Sequence, residues 1–259
     1  MPFAWLRPEL IAAAIRLAKA DTDGLEDSII QVRDRAERMT VLSASGSTNA
    51  LLLGTWLELD RLESLHHMLT DRDSSPSALA WQYLAAMSAA LLGTPDAHDR
   101  LDRVITELAS TTASGWRDPF VAAFGIESSI ALCRNDDALV FAARLEGLHG
   151  RFLVLGPATL TLGPIDRYRG LAALAGGDVP AAIERLSLAV ESSQRGGATV
   201  WAMRSRIELA RALHTRSAPG DVDQAAALTD IVRCCAEIGG SPRLARELRV
   251  ALSTAVTEP

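Results

Sequence analysis

Apolar residues recur three and four positions apart along most of the chain, the spacing that places them on one face of a helix. One such face follows Pro180 and consists of Ala182, Ile183, Leu186, Ala189 and Val190. Two later faces consist of Val200, Met203, Ile207 and Ala210, and of Ala225, Leu228, Val232 and Cys235. The pattern predicts amphipathic helices that bury these faces against one another.

Extended over the whole sequence, this periodicity predicts helices at residues 8–20, 24–38, 48–58, 60–70, 76–92, 96–109, 118–133, 136–147, 164–175, 179–194, 198–214, 222–237 and 242–254. The stretch RFLVLGPATLTLGP at 151–164 is different, because its Val, Thr and Leu residues and two Gly-Pro pairs favour an extended chain. We expect it to be a connector that lies across the helices.

A break between helices recurs at Gly93, Asn135, Gly177 and Gly220, at spacings of 42, 42 and 43 residues. Gly and Asn accept the left-handed conformation that closes a helix. At the third break, LAALAGGDVPAAIERL, an Asp follows that can cap the next helix, and a Pro stands in its first turn. Degenerate copies lie around Asp23 and Asp60.

This fixed period predicts an all-α fold, a right-handed superhelix (solenoid) of antiparallel helix pairs. The repeats are of the tetratricopeptide-like (TPR-like) kind and about 42 residues long. Each pair leaves an apolar face that a neighbouring pair can cover. We expect a single domain over 1–259, made of degenerate N-terminal repeats, central repeats, the extended connector and C-terminal repeats at 1–74, 75–150, 151–163 and 164–259.

The amino-acid composition supports a helical fold and disfavours two classes of partner, nucleic acids and anionic membranes. Hydrophobic residues make up 48% of the chain but aromatic residues only 5%, so Ala and Leu, the strongest helix formers, dominate. The net charge of −6 argues against a general nucleic-acid or anionic-membrane surface. Only Lys19 among 26 cationic side chains is a lysine, which reflects either a GC-rich genome or selection for bidentate pairing.

Three cysteines form no disulfide framework and fit a reducing compartment. The first residues do not show the pattern of a secretory leader, a basic start followed by an apolar stretch and a small-residue cleavage site, so none is expected. No uncharged apolar run reaches the roughly 18 residues of a spanning helix. We therefore expect a cytoplasmic protein without membrane or direct nucleic-acid contact.

The region 138–252 resembles the C-terminal helical-repeat part of large bacterial signalling ATPases, among them LuxR-type, MalT-like transcriptional regulators and cyclase-associated ATPases. The similarity rests on LEGLHGR, LGPIDRYRGLAALAGGDVPAAIERLSLAVE, GGATVWAMRSRIELARAL and IGGSPRLARELR. It implies a regulatory arm that senses a partner or small ligand and restrains an ATPase core.

The chain departs from that family in two respects. It has no G-x-x-x-x-G-K-[ST] motif, and only STAVTEP follows the last predicted helix, which is too short for a DNA-binding domain. ATPase, cyclase and DNA-binding activities are therefore not carried over. The expectation is a repeat arm, excised or naturally separate, or a free-standing relative.

Residues that suggest chemistry have simpler structural interpretations. His66 and His67 point about 100° apart on a helix and lack a third ligand at useful spacing. Cys234 and Cys235 are expected to be buried small apolar side chains, and Cys133 has no nearby base. DTDGLED at 21–27 departs from a calcium loop and is expected to start a helix with capping acids. Asn135-Asp136-Asp137 is expected to be a capped turn. We predict no catalytic, metal or cofactor site.

The candidate partner or ligand groove consists of Arg167, Tyr168, Arg169, Trp201 and Arg204. On an exposed concave face, Arg and Trp are natural interaction hot spots. The alternative is that Tyr168 anchors the connector while the neighbouring arginines face solvent or pair with Asp166 and Glu184. Arg204, Glu208 and Arg211 are expected to form surface ion pairs. For the tryptophans Trp56, Trp81, Trp116 and Trp201, packing between helices is the alternative to a recognition surface.

The sequence thus predicts a non-enzymatic interaction or sensor module with a protein partner, a signalling ATPase or regulator core. The second hypothesis is a helical small-molecule-binding protein or enzyme with a pocket under the 151–164 connector. A deep pocket with convergent polar groups would favour the second hypothesis, and a broad groove the first.

Overall fold

The computed structural model describes residues 4–41, 44–70, 79–110, 118–155, 160–238 and 241–257. Within these ranges the helices are α1 (Leu6–Ala18), α2 (Leu25–Arg38), α3 (Ala44–Glu58), α4 (Leu62–Thr70), α5 (Leu79–Leu92), α6 (Ala97–Ser110), α7 (Asp118–Ala131), α8 (Asn135–Ala143), α9 (Ile165–Ala175), α10 (Val179–Arg195), α11 (Thr199–Arg216), α12 (Asp221–Ile238) and α13 (Pro242–Thr257). The strands are β1 (Phe152–Leu155) and β2 (Leu160–Pro164). The fold is mostly helical, as predicted.

The predicted extended stretch forms an antiparallel hairpin of β1 and β2. Phe152 pairs with Pro164, and Leu155 pairs with Leu160, with an irregularity in register between Leu153 and Val154. The extended conformation was predicted from composition, but the pairing of its two halves was not.

The chain divides into two compact units. Unit 1 comprises Met1–Asp60, Phe152–Pro164 and Ser187–Pro259, and unit 2 comprises Arg61–Arg151 and Ile165–Leu186. Helix α10 contributes residues to both.

Left-handed residues end the odd-numbered helices α1 to α11, at Ala20, Asp60, Gly93, Cys133, Gly177 and Ser217, which are 40, 33, 40, 44 and 40 residues apart. After α9, the amide of Gly177 donates to the Leu174 carbonyl at 3.1 Å, and that of Asp178 donates to Ala173 at 2.9 Å. This is the Schellman pattern of helix closure. The Asp178 carboxylate then accepts from the amide of Ala181 at 3.1 Å and caps α10, as predicted.

The break predicted at Asn135 is wrong in its detail. The left-handed residue there is Cys133, with φ of 58°, and Asn135 is the first residue of α8. The amide of Arg134 donates to Ser129 at 2.8 Å, so the closing hydrogen bonds stabilise a conformation that residue type alone does not favour.

Gly177→Ala should lower the free energy of unfolding by about 1–2 kcal/mol, because Gly177 has φ of +82° and a Cβ disfavours that region. Gly46→Ala is the matched control. Gly46 lies within α3 with open space around it, so this exchange should stabilise the fold by about 0.5–1 kcal/mol. Urea denaturation of both variants measures the two changes in the free energy of unfolding. If both variants are stabilised or both are destabilised, the left-handed turn at Gly177 is assigned wrongly.

Two turns of unit 1 carry the same arginine–aspartate clamp. Across the α11–α12 turn, Arg216 donates through Nε and Nη2 to both oxygens of Asp221, at 2.9 and 2.6 Å. Across the α1–α2 turn, Arg16 binds Asp21 in the same way at 2.8 and 3.0 Å. The hydrogen bonds from Arg216 and from the amide of Ala218 hold the pKa of Asp221 down to about 2.

Asp221 should make the protein sensitive to acid. Because the folded state lowers its pKa, Asp221 stabilises the fold above the unfolded pKa of about 3.8, and that stability is lost as the pH falls toward about 2. Asp221→Asn should therefore be less stable than the parent at pH 7, and the difference should shrink from pH 4 to pH 2. Melting curves over about pH 2–7 measure this, with the exposed Asp230→Asn on the same helix as control. If the melting temperature of Asp221→Asn lies below that of the parent by the same amount at every pH, the lowered pKa of Asp221 does not stabilise the fold.

In unit 1, helices pack in consecutive triplets. Helix α1 contacts α2 and α3, α2 contacts α3, and the same holds for α11, α12 and α13. The apolar faces predicted for α11 and α12 are confirmed in a core of Ala202, Met203, Ile207, Val232, Leu244, Leu248 and Ala251, with Cys235 packed against it. In addition α1 contacts α11, α3 contacts α13, and β2 contacts α1, α3 and α11.

In unit 2, α5, α6 and α7 form the same kind of triplet, and so do α7, α8 and α9. Gly125 on α7 lies under the ring of Phe141, and Gly170 on α9 lies under Leu186 of α10. Ala182 and Leu186 on the predicted face of α10 are buried.

Candidate functional site

The five predicted groove residues fall into two groups. Arg167, Tyr168 and Arg169 lie in the first turn of α9 in unit 2, and Trp201 and Arg204 lie in α11 in unit 1. Arg169 is half-buried, and the other four are buried, with 1–7% of their surface exposed. Their burial does not support an exposed groove built from these side chains.

In unit 2, Arg167 belongs to the packing of the α9 start. Its Nη1 donates to Glu127 Oε1 of α7 at 2.9 Å, and its guanidinium lies 5.3 Å from the centre of the Tyr168 ring. Asp166 accepts from the amide of Gly150 at 2.7 Å. Arg167 therefore pairs with Glu127, which lies 40 residues away and is not one of the partners predicted from the sequence, Asp166 and Glu184.

In unit 1, Arg204 is the centre of a buried ion cluster. Its Nη1 and Nη2 donate to both oxygens of Glu58 at 2.7 and 2.8 Å, and its Nε donates to Glu247 at 2.9 Å. Glu58 also accepts from Ser241 Oγ at 2.9 Å, and Glu247 accepts from Arg243 Nε at 2.7 Å. We call Glu58, Arg204, Ser241, Arg243 and Glu247 the arginine cluster.

The arginine cluster is charge-balanced, with two arginines and two glutamates. Burial disfavours the charge of Arg204 by desolvation, but the nearby Glu247 and Glu58 outweigh that effect and raise its pKa above the ordinary value. Arg204 therefore stays a cation. The cluster holds α3 of the N-terminal segment against α11 and α13 of the C-terminal segment of unit 1.

The predicted surface position of Arg204 is wrong, since only 1% of its side chain is exposed. Helices on several sides and strand β2 surround α11, so a residue opposite its apolar face is also buried. The other predicted pair is confirmed, because Arg211 Nη1 and Glu208 Oε2 lie 2.8 Å apart near the surface.

The arginine cluster is connected to the hairpin through Trp201. The Arg204 guanidinium lies 4.9 Å from the centre of the indole ring. On the hairpin, a Cβ added to Gly163 would lie 2.6 Å from indole carbons of Trp201, so the indole packs against that glycine. Leu160 of β2 packs in the same way on Gly54 of α3, next to Leu17 of α1.

A small cavity lies under β2, between α1, α3 and α11. Its volume is about 20 Å³, and its polar lining includes Glu58, Thr161 and Arg243. A water molecule needs about 10–15 Å³ measured in this way, so the cavity has room for one water.

The histidine pair and the three cysteines do not belong to the arginine cluster. His66 Nδ1 lies 2.9 Å from Ser88 Oγ, and within the described ranges no three His, Cys, Asp or Glu side chains are grouped to hold a metal ion. The predicted burial of Cys234 is wrong, because Cys133 and Cys234 are exposed and Cys235 is half-buried.

Two further sequence interpretations concern polar turns and tryptophans. DTDGLED starts α2, as predicted, but its acids do not cap the helix: the N-cap is the left-handed Gly24, and Glu26 and Asp27 lie in the first turn. Trp56 Nε1 donates to Glu26 at 2.8 Å, which ties α3 to α2. The side chain of Trp81 and the whole of Trp116 lie outside the described residues.

Comparison with known proteins gives no match of any kind. No protein-family profile, no curated protein and no solved structure matches it. Among the described residues, every helix is too short or too polar to cross a lipid bilayer.

Proposed function

We propose that this chain is a non-enzymatic, TPR-like interaction module that regulates a bacterial signalling ATPase or transcriptional regulator. The observation that carries the proposal is the repeated helix-pair pattern. A left-handed residue closes each odd-numbered helix from α1 to α11, at spacings of 33–44 residues, and α1, α5, α7 and α11 each contact both the next helix and the one after it. Such arrays bind partners through many side chains spread over several repeats.

In this proposal the repeats follow a right-handed superhelical path, as in the proteins that the sequence resembles. The described contacts also include a departure from a simple linear array, because in unit 1 α1 and α3 contact α11 and α13.

The cavity under β2 favours the interaction module over the alternative of a small-molecule binder. Sites for metabolites usually enclose about 300–1,000 Å³ and bury most of the ligand. The space beneath Thr161 is about 20 Å³, and its charged groups Glu58 and Arg243 are already engaged in the arginine cluster. A cytoplasmic location is part of the proposal, supported by three free cysteines.

The coding sequence on both sides of this chain at its native locus tests the proposal first. An in-frame P-loop module upstream, or a neighbouring P-loop ATPase that co-purifies with the tagged chain, would support a regulatory arm or an adaptor. The expected further result is that nucleotide changes the amount of ATPase recovered. The proposal would be overturned if the locus encodes no P-loop module upstream and no neighbouring P-loop ATPase, and if the tagged chain also recovers no ATPase or regulator.

A further inference from the structure

We propose that the hairpin of β1 and β2 occupies a binding groove of unit 1, and that an extended partner segment with aliphatic residues two positions apart takes its place. This inference rests on the proposed interaction function and names the class of segment that the module binds. The groove is formed by α1, α3 and α11, the three helices that β2 contacts.

The residues of β2 define what fits the groove. Leu160 and Leu162 are each 5% exposed and both line the small cavity under β2, with Leu162 at the register irregularity between Thr161 and Gly163. Leu160 packs on Gly54, where the lack of a side chain lets its methyl groups approach the α3 backbone. Thr161 between them is only half-buried. The groove therefore accepts an extended segment of the form aliphatic–polar–aliphatic.

The hairpin is held by side-chain packing, and within the described ranges its sheet has no further strand. Its sheet contains two strands of four and five residues, and such a hairpin is marginally stable by itself. On β1, Val154 is 43% exposed while Leu153 is 3% exposed, so the outer strand contributes mainly the side chain of Leu153 to the buried face. A segment that takes the place of the hairpin has to supply the apolar contacts of Leu153, Leu160 and Leu162.

Trp201 connects the hairpin to the arginine cluster, since its indole touches Gly163 on the hairpin and the Arg204 guanidinium packs near its ring. Displacement of β2 therefore removes a contact from the residue next to the cluster. Through Trp201 and Arg204, replacement of β2 in the groove would therefore change the packing between α3 and α11.

Competition with a peptide tests the inference on the full chain. The probe is a fluorescent peptide with the sequence of residues 150–166, GRFLVLGPATLTLGPID. Gly163→Val should push β2 off Trp201, and the peptide should then bind at least about tenfold more tightly than to the parent, since the groove is no longer occupied. Gly150→Val is the matched control, because Gly150 also has a positive φ but no side chain within reach.

A second peptide with Leu160→Ser and Leu162→Ser should not bind to any of the three chains. Equal affinity of the unmodified peptide for parent and Gly163→Val, or no binding to either, would overturn the inference.

Hydrogen exchange on the unmodified chain keeps the test decisive if Gly163→Val fails to fold. The amides of β1 and β2 should exchange at least about tenfold faster than those of α3 and α11. If the amides of the hairpin exchange at the same rate as those of α11, the hairpin opens only together with the core, and the inference is overturned. Neither measurement needs a natural partner. A negative result at the native locus would therefore overturn the proposed function without deciding whether the groove binds a peptide.

Discussion

Arg204→Met should lower the free energy of unfolding by about 3–5 kcal/mol, the usual cost of removing one partner from a buried ion pair. The change leaves Glu58, which is 4% exposed, without the guanidinium that binds both of its oxygens. Urea denaturation followed by helical circular dichroism measures the loss.

Arg211→Met is the control for Arg204→Met. It removes the Arg211–Glu208 pair on the same helix, where the arginine is exposed, and should cost about 0.5 kcal/mol or less. In a third variant, Arg204→Met with Glu58→Met should recover part of the loss, because Glu247 keeps its pair with Arg243. If Arg204→Met unfolds at the same urea concentration as Arg211→Met, the arginine cluster does not hold unit 1 together.

Ala182→Glu should destabilise the fold by about 3 kcal/mol or more, because it places an unpaired carboxylate in a closed helix contact. Ala182 has no exposed surface, and its carbonyl lies next to Gly170 of α9. The free energy of unfolding is again the quantity to measure.

Leu188→Glu introduces the same side chain at an exposed position of the same helix and should change stability by less than about 0.5 kcal/mol. Equal stability of Ala182→Glu and the parent would mean that the face of α10 that packs on α9 has been assigned to the wrong residues.

The helices and most of their ends could be predicted from the sequence because both depend on local chemistry. Periodic apolar residues define the faces of α10, α11 and α12. Gly177, Asp178 and Pro180 together define the α9–α10 turn, since each favours one feature of it. At Cys133 this reasoning fails, because hydrogen bonds of the helix end stabilise a left-handed residue that is neither Gly nor Asn.

The arginine cluster could be predicted only in part. Trp201 and Arg204 are residue types typical of interaction hot spots, but their burial depends on helices from distant parts of the chain, α3 and α13 among them. The partner Glu58 lies 146 residues before Arg204, and spacing along one helix carries no information about it. A signal was available, since Glu58 ends the otherwise uncharged run ALLLGTWLE in α3, and a buried carboxylate requires a partner.

The hairpin shows the same limit. Its composition predicts an extended chain, but which residues of 151–164 point inward depends on where β2 meets α1, α3 and α11. Leu160 packs there because Gly54, which is far away in sequence, has no side chain to occupy the same space.

Native mass spectrometry of the chain, purified gently from its native cells, tests the central claim most directly. The account predicts that the chain is recovered with a protein partner, or as part of a longer polypeptide, that contains a signalling ATPase or regulator core. Recovery of the chain with a bound small molecule and no protein partner would contradict the interaction module and favour a ligand-binding protein.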